Sequence, residues 1–370
     1  YNFAKKYHPK MNKNYKPKVA VIYPCKGNSK HLIDSLKGVV NQDYEGVYEI
    51  VFVVESTDDP AYQVIKDFIK PYNHTKLIVA GHSHKCIQKN HNVIKAIQSL
   101  PNDVEVYTFI DAHNTPAKNW LRVLINTLSI PGVEISTVYR VAYPKPGKLG
   151  SQIYSGLITA MYYSNVILNI VWGGSFSIRK ETLAKYDYIN KWANGMSHDS
   201  PINSSNVNAL CNPAHIISDE HIDNPTLKEL AHWFKRQWSH FRIYNPVKWT
   251  LALLFTIGQL LIVVSIPIFL IYTLFNPMNL INYYLIFSTI VVIGMLITWG
   301  IALSENIKGA NPIKYSLFAF ILFLVFFYGL VAPLFKREIV WSGKRYKLDK
   351  EGNLESIQEE IEKIKVPGKN

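Results

Sequence analysis

Apolar and polar positions along the chain fall into two regimes. From residue 18 to about 130, short apolar runs alternate with stretches of helical spacing. Residues 18–24 (KVAVIYP) form a compact run closed by Pro24, which predicts a first buried strand. After a turn at 25–29, Leu32, Leu36 and Val39 or Val40 recur at helical intervals over 31–40. Residues 48–54 predict a second strand, 61–69 a helix, 76–80 a third strand, 90–100 another helix and 104–110 a fourth strand. Alternation of this kind argues βαβ units around a mostly parallel sheet, an α/β fold. Beyond 130 the pattern loosens into a strand at 133–143, an apolar helix at 153–170 and a Gly-led strand at 172–178. The glycines of that strand allow close approach by a ligand. The second regime begins near 249, with apolar blocks at 249–275, 281–303 and 315–335. The first carries no charge and is long enough to span a bilayer of about 30 Å with tilt. The tight link at 276–280 makes the first two blocks a hairpin.

Composition sharpens this division. The 370 residues suffice for about two to three domain-sized units. They are 48% hydrophobic and only 18% charged, and the apolar excess lies in the last third, as in a mixed soluble and membrane chain. The net charge of +13 is uneven: Lys5, Lys6, Lys10, Lys13, Lys16 and Lys18 crowd the start. Such a run is a solvated tail, or beside a bilayer it hugs anionic headgroups on the cytoplasmic face. Nucleic acid is disfavoured as a partner, because no recognition motif accompanies the lysines. Cys25, Cys86 and Cys211 stand far apart, giving no disulfide framework or zinc knot, so a reducing compartment fits. The chain begins at Tyr1 rather than Met, which leaves room for a preceding segment, and no signal peptide is visible. Lys308 and Lys314 precede the third block, while Lys336, Arg337, Lys344, Arg345 and Lys347 follow it. Both flanks therefore ask to be cytoplasmic. One full span cannot satisfy both, so block three, or block one near Pro267, is expected to be re-entrant or interfacial.

Candidate chemistry sits at the strand ends. In open α/β sheets, ligands collect beyond the carboxyl ends of the strands. Asp111 lies at such an end with His113 two residues on, a pairing suited to a divalent cation on a nucleotide diphosphate. The alternative is a strand-ending Asp that caps the turn at 114–116. No Gly-x-Gly-x-x-Gly follows the first strand and no P-loop occurs, so a nucleotide would be gripped by carboxylates, a metal and Lys26 or Lys89. Asp199 is a second isolated acid after a loop. Asp58 and Asp59 read as a turn-forming Asp-Asp-Pro, with Glu55 or Asp58 contacting the nucleotide base or ribose. His82 and His84 could bind zinc, but no third ligand is at sensible spacing. Residues 232–242 are dense in aromatics and cations. They fit an amphipathic helix at a membrane surface, or a lid holding a diphosphate.

With these residues laid out, the chain resembles a family 2 type glycosyltransferase with a GT-A fold, and more narrowly ceramide glucosyltransferase and its bacterial relatives. Residues 19–27 (VAVIYPCKG) match the opening strand and its Pro-x-Lys-Gly turn, and 58–61 (DDPA) match the segment after the second strand. Asp111 falls at the metal and nucleotide-sugar aspartate. Gly173, Gly174 and Ser175 to Arg179 and Lys180 resemble the acceptor-side strand, and Asp199 falls on the proposed catalytic base. The tail at 339–348 (IVWSGKRYKL) resembles the Trp-x-x-Gly-x-Arg-Tyr ending. Three positions depart from the pattern. The Gln/Arg-x-x-Arg-Trp motif appears only as 237–241 (QWSHF), His198 stands where the loop acid has an acidic neighbour, and His113 is unusual.

The resemblance implies an inverting glycosyltransferase that moves a glucose-like sugar from a UDP-sugar to a membrane lipid hydroxyl, ceramide-like or other. Pro24, Lys26, Glu55, Asp58, Lys89 and Asp111 would bind the nucleotide sugar. Asp111 and His113 would hold Mn or Mg, and Asp199 would take the acceptor proton. Arg236, Gln237, Trp238, His240 and Phe241 would form the lid over diphosphate and acceptor. The expected organisation is a basic juxtamembrane tail (1–17), a GT-A domain of mostly parallel sheet flanked by helices (18–244), transmembrane or interfacial helices (245–336) and a tail (337–370). An integral membrane protein with its catalytic domain and tail on the cytoplasmic face is expected. Two rivals stand beside this reading: a processive polysaccharide synthase, and a catalytically weakened membrane scaffold that keeps the fold.

Overall fold

The computed structural model describes residues 3–12, 14–145, 147–219, 224–275, 282–284, 286–290, 293–294, 297, 312–335, 338–341, 343–348 and 354–359. Its contacts divide the chain into two units. The first comprises Tyr1–Arg140, Ser164–His221 and Lys336–Asn370; the second comprises Val141–Tyr163 and Ile222–Phe335.

In the first unit a short helix, α1 (Phe3–Tyr7), precedes alternating elements: β1 (Val19–Pro24), α2 (Leu32–Val40), β2 (Tyr48–Val54), α3 (Pro60–Phe68), β3 (Thr75–Val79), α4 (Gln88–Gln98) and β4 (Val106–Ile110). A short β5 (Asn114–Pro116), α5 (Trp120–Leu128) and β6 (Ile135–Val138) follow. After α6 (Leu149–Leu168), which runs through both units, come β7 (Ser175–Arg179), α7 (Lys180–Lys185), α8 (Tyr188–Ala193), α9 (Ser200–Asn203), β8 (Ala209–Asn212) and β9 (Ile217–Asp219). The main sheet has the order β3-β2-β1-β4-β7-β6-β8. Strands β3, β2, β1 and β4 are parallel, as are β6 and β8, while β7 runs antiparallel to both its neighbours. The mostly parallel sheet is therefore as expected, and the reversed β7 is new.

Helices cover both faces of this sheet. Along β1, Val19, Val21 and Tyr23 enter one core with Leu36 of α2, Ile65 of α3 and Leu124 of α5. Ala20 and Ile22 enter the other with Val93 of α4 and Trp192 of α8. Burial on both faces is why these strands read as continuous apolar runs rather than alternating ones. The expected strand at 133–143 is shorter, because Arg140 leaves the ladder to stack on Trp172, 5.3 Å from guanidinium carbon to ring centroid. The expected strand at 172–178 starts late, since Trp172 to Ser175 form a turn closed by Ser175 N–H to Trp172 O at 3.0 Å.

The C-terminal tail forms a separate antiparallel sheet in the first unit, with β10 (Glu338–Trp341), β11 (Lys344–Leu348) and β12 (Leu354–Glu359) in that order. Alternate residues Lys344, Tyr346 and Leu348 of β11 are buried.

The second unit is helical. α10 (Leu227–Tyr244) opens with a reciprocal capping box between Thr226 and Glu229. α11 (Pro246–Phe275) and α12 (Pro312–Val331) follow. α10 packs on α12 through aromatic side chains: Trp238 and Phe326 have centroids 4.9 Å apart, and Phe234 and Phe326 6.2 Å. A Cβ at Gly329 would come within 2.8 Å of Trp238 Cδ1, so the glycine admits the indole. Among the described residues no helix is long and apolar enough to cross a membrane. The expected hairpin link at 276–280, most of the block at 281–303, and Lys308, Lys336 and Arg337 lie outside the described residues.

Two motifs of the first unit clip together locally. Asp59 Oδ1 accepts from Ala61 N–H, capping α3, and from Gly27 N–H, both at 2.9 Å. Gly27 sits at φ +72, a backbone conformation that glycine adopts without strain. Asp58 beside it is exposed. Asp59→Ala is expected to lower stability by about 1–2 kcal/mol, and Asp58→Ala by less than about 0.5 kcal/mol. Denaturant midpoints of the two variants check this, and equal shifts would contradict the clip.

Candidate active site

Strand order reverses between β1 and β4, and at such a switch point the loops on either side part to leave a crevice. The carboxyl ends of β1, β2, β3 and β4 share that edge. They are joined there by the start of β7, because antiparallel pairing sets Ile110 opposite Ser175. Lys26, Glu55, His82, Asp111 and the Gly173–Gly174 turn are thereby gathered along one rim.

The loop after β4 is fixed from below. The buried Tyr23 hydroxyl is within hydrogen-bond distance of Ala112 O (2.9 Å) and Ser35 Oγ (2.8 Å), and Ser35 donates to Asn114 O (2.5 Å). Gly174 O accepts from Asp111 N–H (3.1 Å) and from the Asn114 amide (3.2 Å). Lys89, in the first turn of α4, pairs with Asp111 Oδ1 and donates to Gly173 O at 3.1 Å. From the other end of the same residue, Gly173 N–H donates to Asp199 Oδ2 at 2.8 Å. Ser197 donates to Asp199 Oδ1. Two carboxylates from distant parts of the chain thus meet across one residue. Only glycine fits there, since a Cβ at 173 would lie 2.6 Å from Asp199 Oδ2 and 2.7 Å from His198 Cε1. The close approach anticipated at these glycines is made by the Asp199 loop.

That loop is held by buried polar contacts. Trp192 Nε1 donates to His198 O (2.7 Å), and Asn90 donates to Trp192 O (3.0 Å) and Gly195 O (3.2 Å). The His198 ring lies among Phe109, Phe176 and Trp192, with centroids 6.2, 5.5 and 6.2 Å away. Its Nε2 is buried with no hydrogen-bond partner among the described residues.

Electrostatics follow from this packing. Burial would raise the Asp111 carboxyl, but the charges of Lys89 and His113 and the Lys89 hydrogen bond outweigh it, and the group is lowered. Burial likewise opposes ionisation of Asp199. His198, the Ser197 hydroxyl, Lys89 and the Gly173 N–H overcome it, so this carboxyl is lowered too. His198 is pushed down to about 4 by burial and then by the Lys89 ammonium, against the pull of Asp199 and Asp111. It is neutral at pH 7.

Other expected site residues fall as follows. Glu55 is buried, with His82 Nδ1 at 2.6 Å, Lys26 Nζ at 3.4 Å and Lys344 paired to Oε1. Burial raises its carboxyl, but the Lys344 and His82 hydrogen bonds and the charges of Lys344 and Lys26 leave it lowered. Pro24 closes β1, and Asp58 is exposed with its N–H on Ser56 Oγ. His113 Nε2 lies 3.4 Å from Nη1 of the buried Arg140. Among the described residues no group of three or more His, Cys, Asp or Glu side chains gathers for a metal, at His82 and His84 or elsewhere. Arg236, Gln237, Trp238, His240 and Phe241 lie on α10 in the second unit, where Trp238 packs on Phe241 at 5.3 Å and on Phe326. Tyr23, Ser35, Ser197 and Arg140 were not singled out from the sequence, and Lys344 was read only as a tail charge and part of the tail motif. A hydroxyl two residues before an isolated acid was the one local signal, at Ser197.

Two lowered carboxylates around one ammonium thus stand at the strand ends, where ligands of open α/β sheets collect. The chain belongs to glycosyl transferase family 21, whose family model matches residues 2–354, and it is a glycosyltransferase. No curated protein matches it. Among solved structures it is similar to the mannosyltransferase PcManGT from Pyrobaculum calidifontis in complex with GDP-Man and Mn2+. Identity is 16%, covering 88% of this chain and 89% of that chain, with a TM-score of 0.49. It is also similar to 4-diphosphocytidyl-2C-methyl-D-erythritol synthase from Anaerococcus prevotii, at 12% identity over 58% of this chain and 93% of that chain, TM-score 0.37. Likenesses this distant add nothing to the assignment.

The depressed His198 gives a pH prediction. Between about pH 6.5 and 4 the unfolded chain binds a proton that the folded imidazole refuses, so stability falls as the pH is lowered across that window, by up to about 1.4 kcal/mol per unit. His198→Leu should flatten the dependence of the melting midpoint there. An unchanged slope in the variant would mean that the folded imidazole is protonated.

Proposed function

We propose that this glycosyltransferase moves a sugar from a nucleoside diphosphate to a hydroxyl of a membrane lipid, inverting the anomeric centre, at a GT-A site built on Asp111 and Asp199. The observation that carries this reading is the meeting of the two carboxylates across Gly173, with Lys89 between them. Asp199, ionised at neutral pH, accepts the acceptor hydroxyl proton as the new carbon–oxygen bond forms. The bond from the anomeric carbon to the diphosphate breaks on the opposite face, and the nucleoside diphosphate leaves with the electron pair. Lys89 balances its charge in a site where low dielectric strengthens the interaction. Lys26, Glu55 and Pro24 form the nucleoside end.

The donor set around Asp111 fits a divalent cation held by one carboxylate and completed by diphosphate oxygens and water, which is how Mg²⁺ commonly sits on phosphates. When bound, such an ion supplies further charge neutralisation to the diphosphate. Asp111, with His113 close enough to lower its carboxyl, would hold it.

A lipid acceptor is supported by the apolar runs at 249–275 and 315–335 and by the aromatic-basic face of α10, which suits the headgroup layer. The position of the tail constrains topology. Residues 338–359 belong to the unit that holds the main sheet, and Lys344 pairs with Glu55. Sheet and tail then share one side of the bilayer, the cytoplasmic side by their lysines, and the chain between them crosses an even number of times. Block three, or block one near Pro267, would then be re-entrant or interfacial.

Two measurements test this reading. Asp199→Asn should keep nucleotide binding by calorimetry and lose at least about 10²–10⁴-fold in transfer, read as new glycolipid by mass spectrometry; normal turnover would refute the role of Asp199. Single cysteines introduced as Lys95→Cys and Glu355→Cys should both resist an impermeant thiol reagent in intact cells and both react after lysis. Cys25, Cys86 and Cys211 are buried and give little background. Labelling of one site alone in intact cells would overturn the even crossing number.

A further inference from the structure

The cluster at the end of β2 sets two lysines and a histidine around one carboxylate, and they are not equivalent. Lys344 and Glu55 side chains are each 8% exposed, whereas Lys26 is 41% and His82 58% exposed. The two oxygens of Glu55 are also divided. Lys344 and His82 Nδ1 both bind Oε1, and Oε2 faces Lys26, at the open end of β1. Two residues along the same buried face of β11, the Tyr346 hydroxyl accepts from Gln88 N–H at 3.5 Å. The Gln88 side chain donates to Gly81 O (2.8 Å) and accepts from Ser83 N–H (2.9 Å), tying down the loop that carries His82. Gln88 also immediately precedes Lys89. One C-terminal strand thus grips both the carboxylate after β2 and the helix that presents Lys89.

We propose that Lys344 is a positioning residue for the donor nucleoside: it clamps Oε1 of Glu55 so that Oε2 is presented to the crevice as a fixed acceptor. The group received there is a donor hydroxyl or ring N–H of the nucleoside. Lys344 itself stays behind the carboxylate, away from the substrate. This inference rests on the nucleotide-sugar reading above. It adds that the tail governs donor affinity, while the transfer step is left to Asp199 and Lys89. A carboxylate held by a clamp gives up less side-chain freedom on binding than a loose one, so removing the clamp weakens binding without moving the reacting atoms.

The test uses the full-length chain in detergent, titrated calorimetrically with UDP and with GDP, together with steady-state transfer assays. For whichever nucleotide the wild type binds, Lys344→Met should raise Kd and donor KM about tenfold with kcat within about twofold, and Lys344→Arg should recover most of the loss. Because Lys344 acts through Glu55, adding Lys344→Met to Glu55→Gln should weaken binding no further than Glu55→Gln alone. Additive losses, an unchanged Kd in Lys344→Met, or a fall in kcat at constant KM would each overturn the proposal. A melting midpoint for every variant separates a binding defect from misfolding; should Lys344→Met fail to fold, Lys344→Gln takes its place in the cycle. If the wild type binds neither nucleotide, it is the donor reading that fails, and the Lys344 comparison is not what has failed.

Discussion

One ammonium group governs the arrangement of the rim at the carboxyl ends of the strands. Two carboxylates ionised within a few bonds of one glycine would repel each other and push one another's pKa upward. Lys89 reverses that outcome for both: it pairs with Asp111 directly, reaches Asp199 through space, and fixes the Gly173 peptide between them. Removing it would leave a buried carboxylate without its partner, which typically costs about 3–5 kcal/mol. The supporting architecture serves the same contact. Antiparallel β7 delivers the Gly173–Gly174 turn beside the end of β4, Tyr23 and Ser35 hold the loop after Asp111, and Asn90 and Trp192 hold the loop before Asp199.

His198 modifies this electrostatic balance. In the related pattern an acid adjoins the loop carboxylate, and here an imidazole packed between three aromatic rings takes that position. A neutral group there adds no negative charge to a pocket that already holds Asp111 and Asp199. Lys89 can then serve two carboxylates instead of three. The imidazole thus leaves the pocket with two carboxylates around one ammonium, where a further acid would have added to the net negative charge.

The first four strands were legible because each is buried on both faces and bounded by turn residues, so periodicity and punctuation agreed. Strand β7 was misread at its start, since Trp172 and the two glycines carry strand-like apolarity but are bent into a turn by Asp199 and Trp172 packing. Its reversed direction has no local signature at all. Among candidate site residues, Asp111 could be placed from its position after β4, whereas Lys89 was named as a cation but lay just outside the helix expected at 90–100. Asp199 stood out as an isolated acid and by the family resemblance, while the contact through Gly173 that brings it to Asp111 is a product of tertiary structure. The aromatic-basic stretch at 232–242 shows the limit of composition as a guide. It proved to be a helix, as one reading had it, but Trp238 is spent on packing against Phe326 and Gly329.

The contact between Glu55 and Lys344 joins residues 289 positions apart. No periodic pattern could reveal it, and a contact at that separation contributes only once the long loop between its ends has closed. Lys26 and His82 reach Glu55 from the neighbouring strand ends, at 3.4 and 2.6 Å, so the tail adds a third partner to a carboxylate that the sheet already attends.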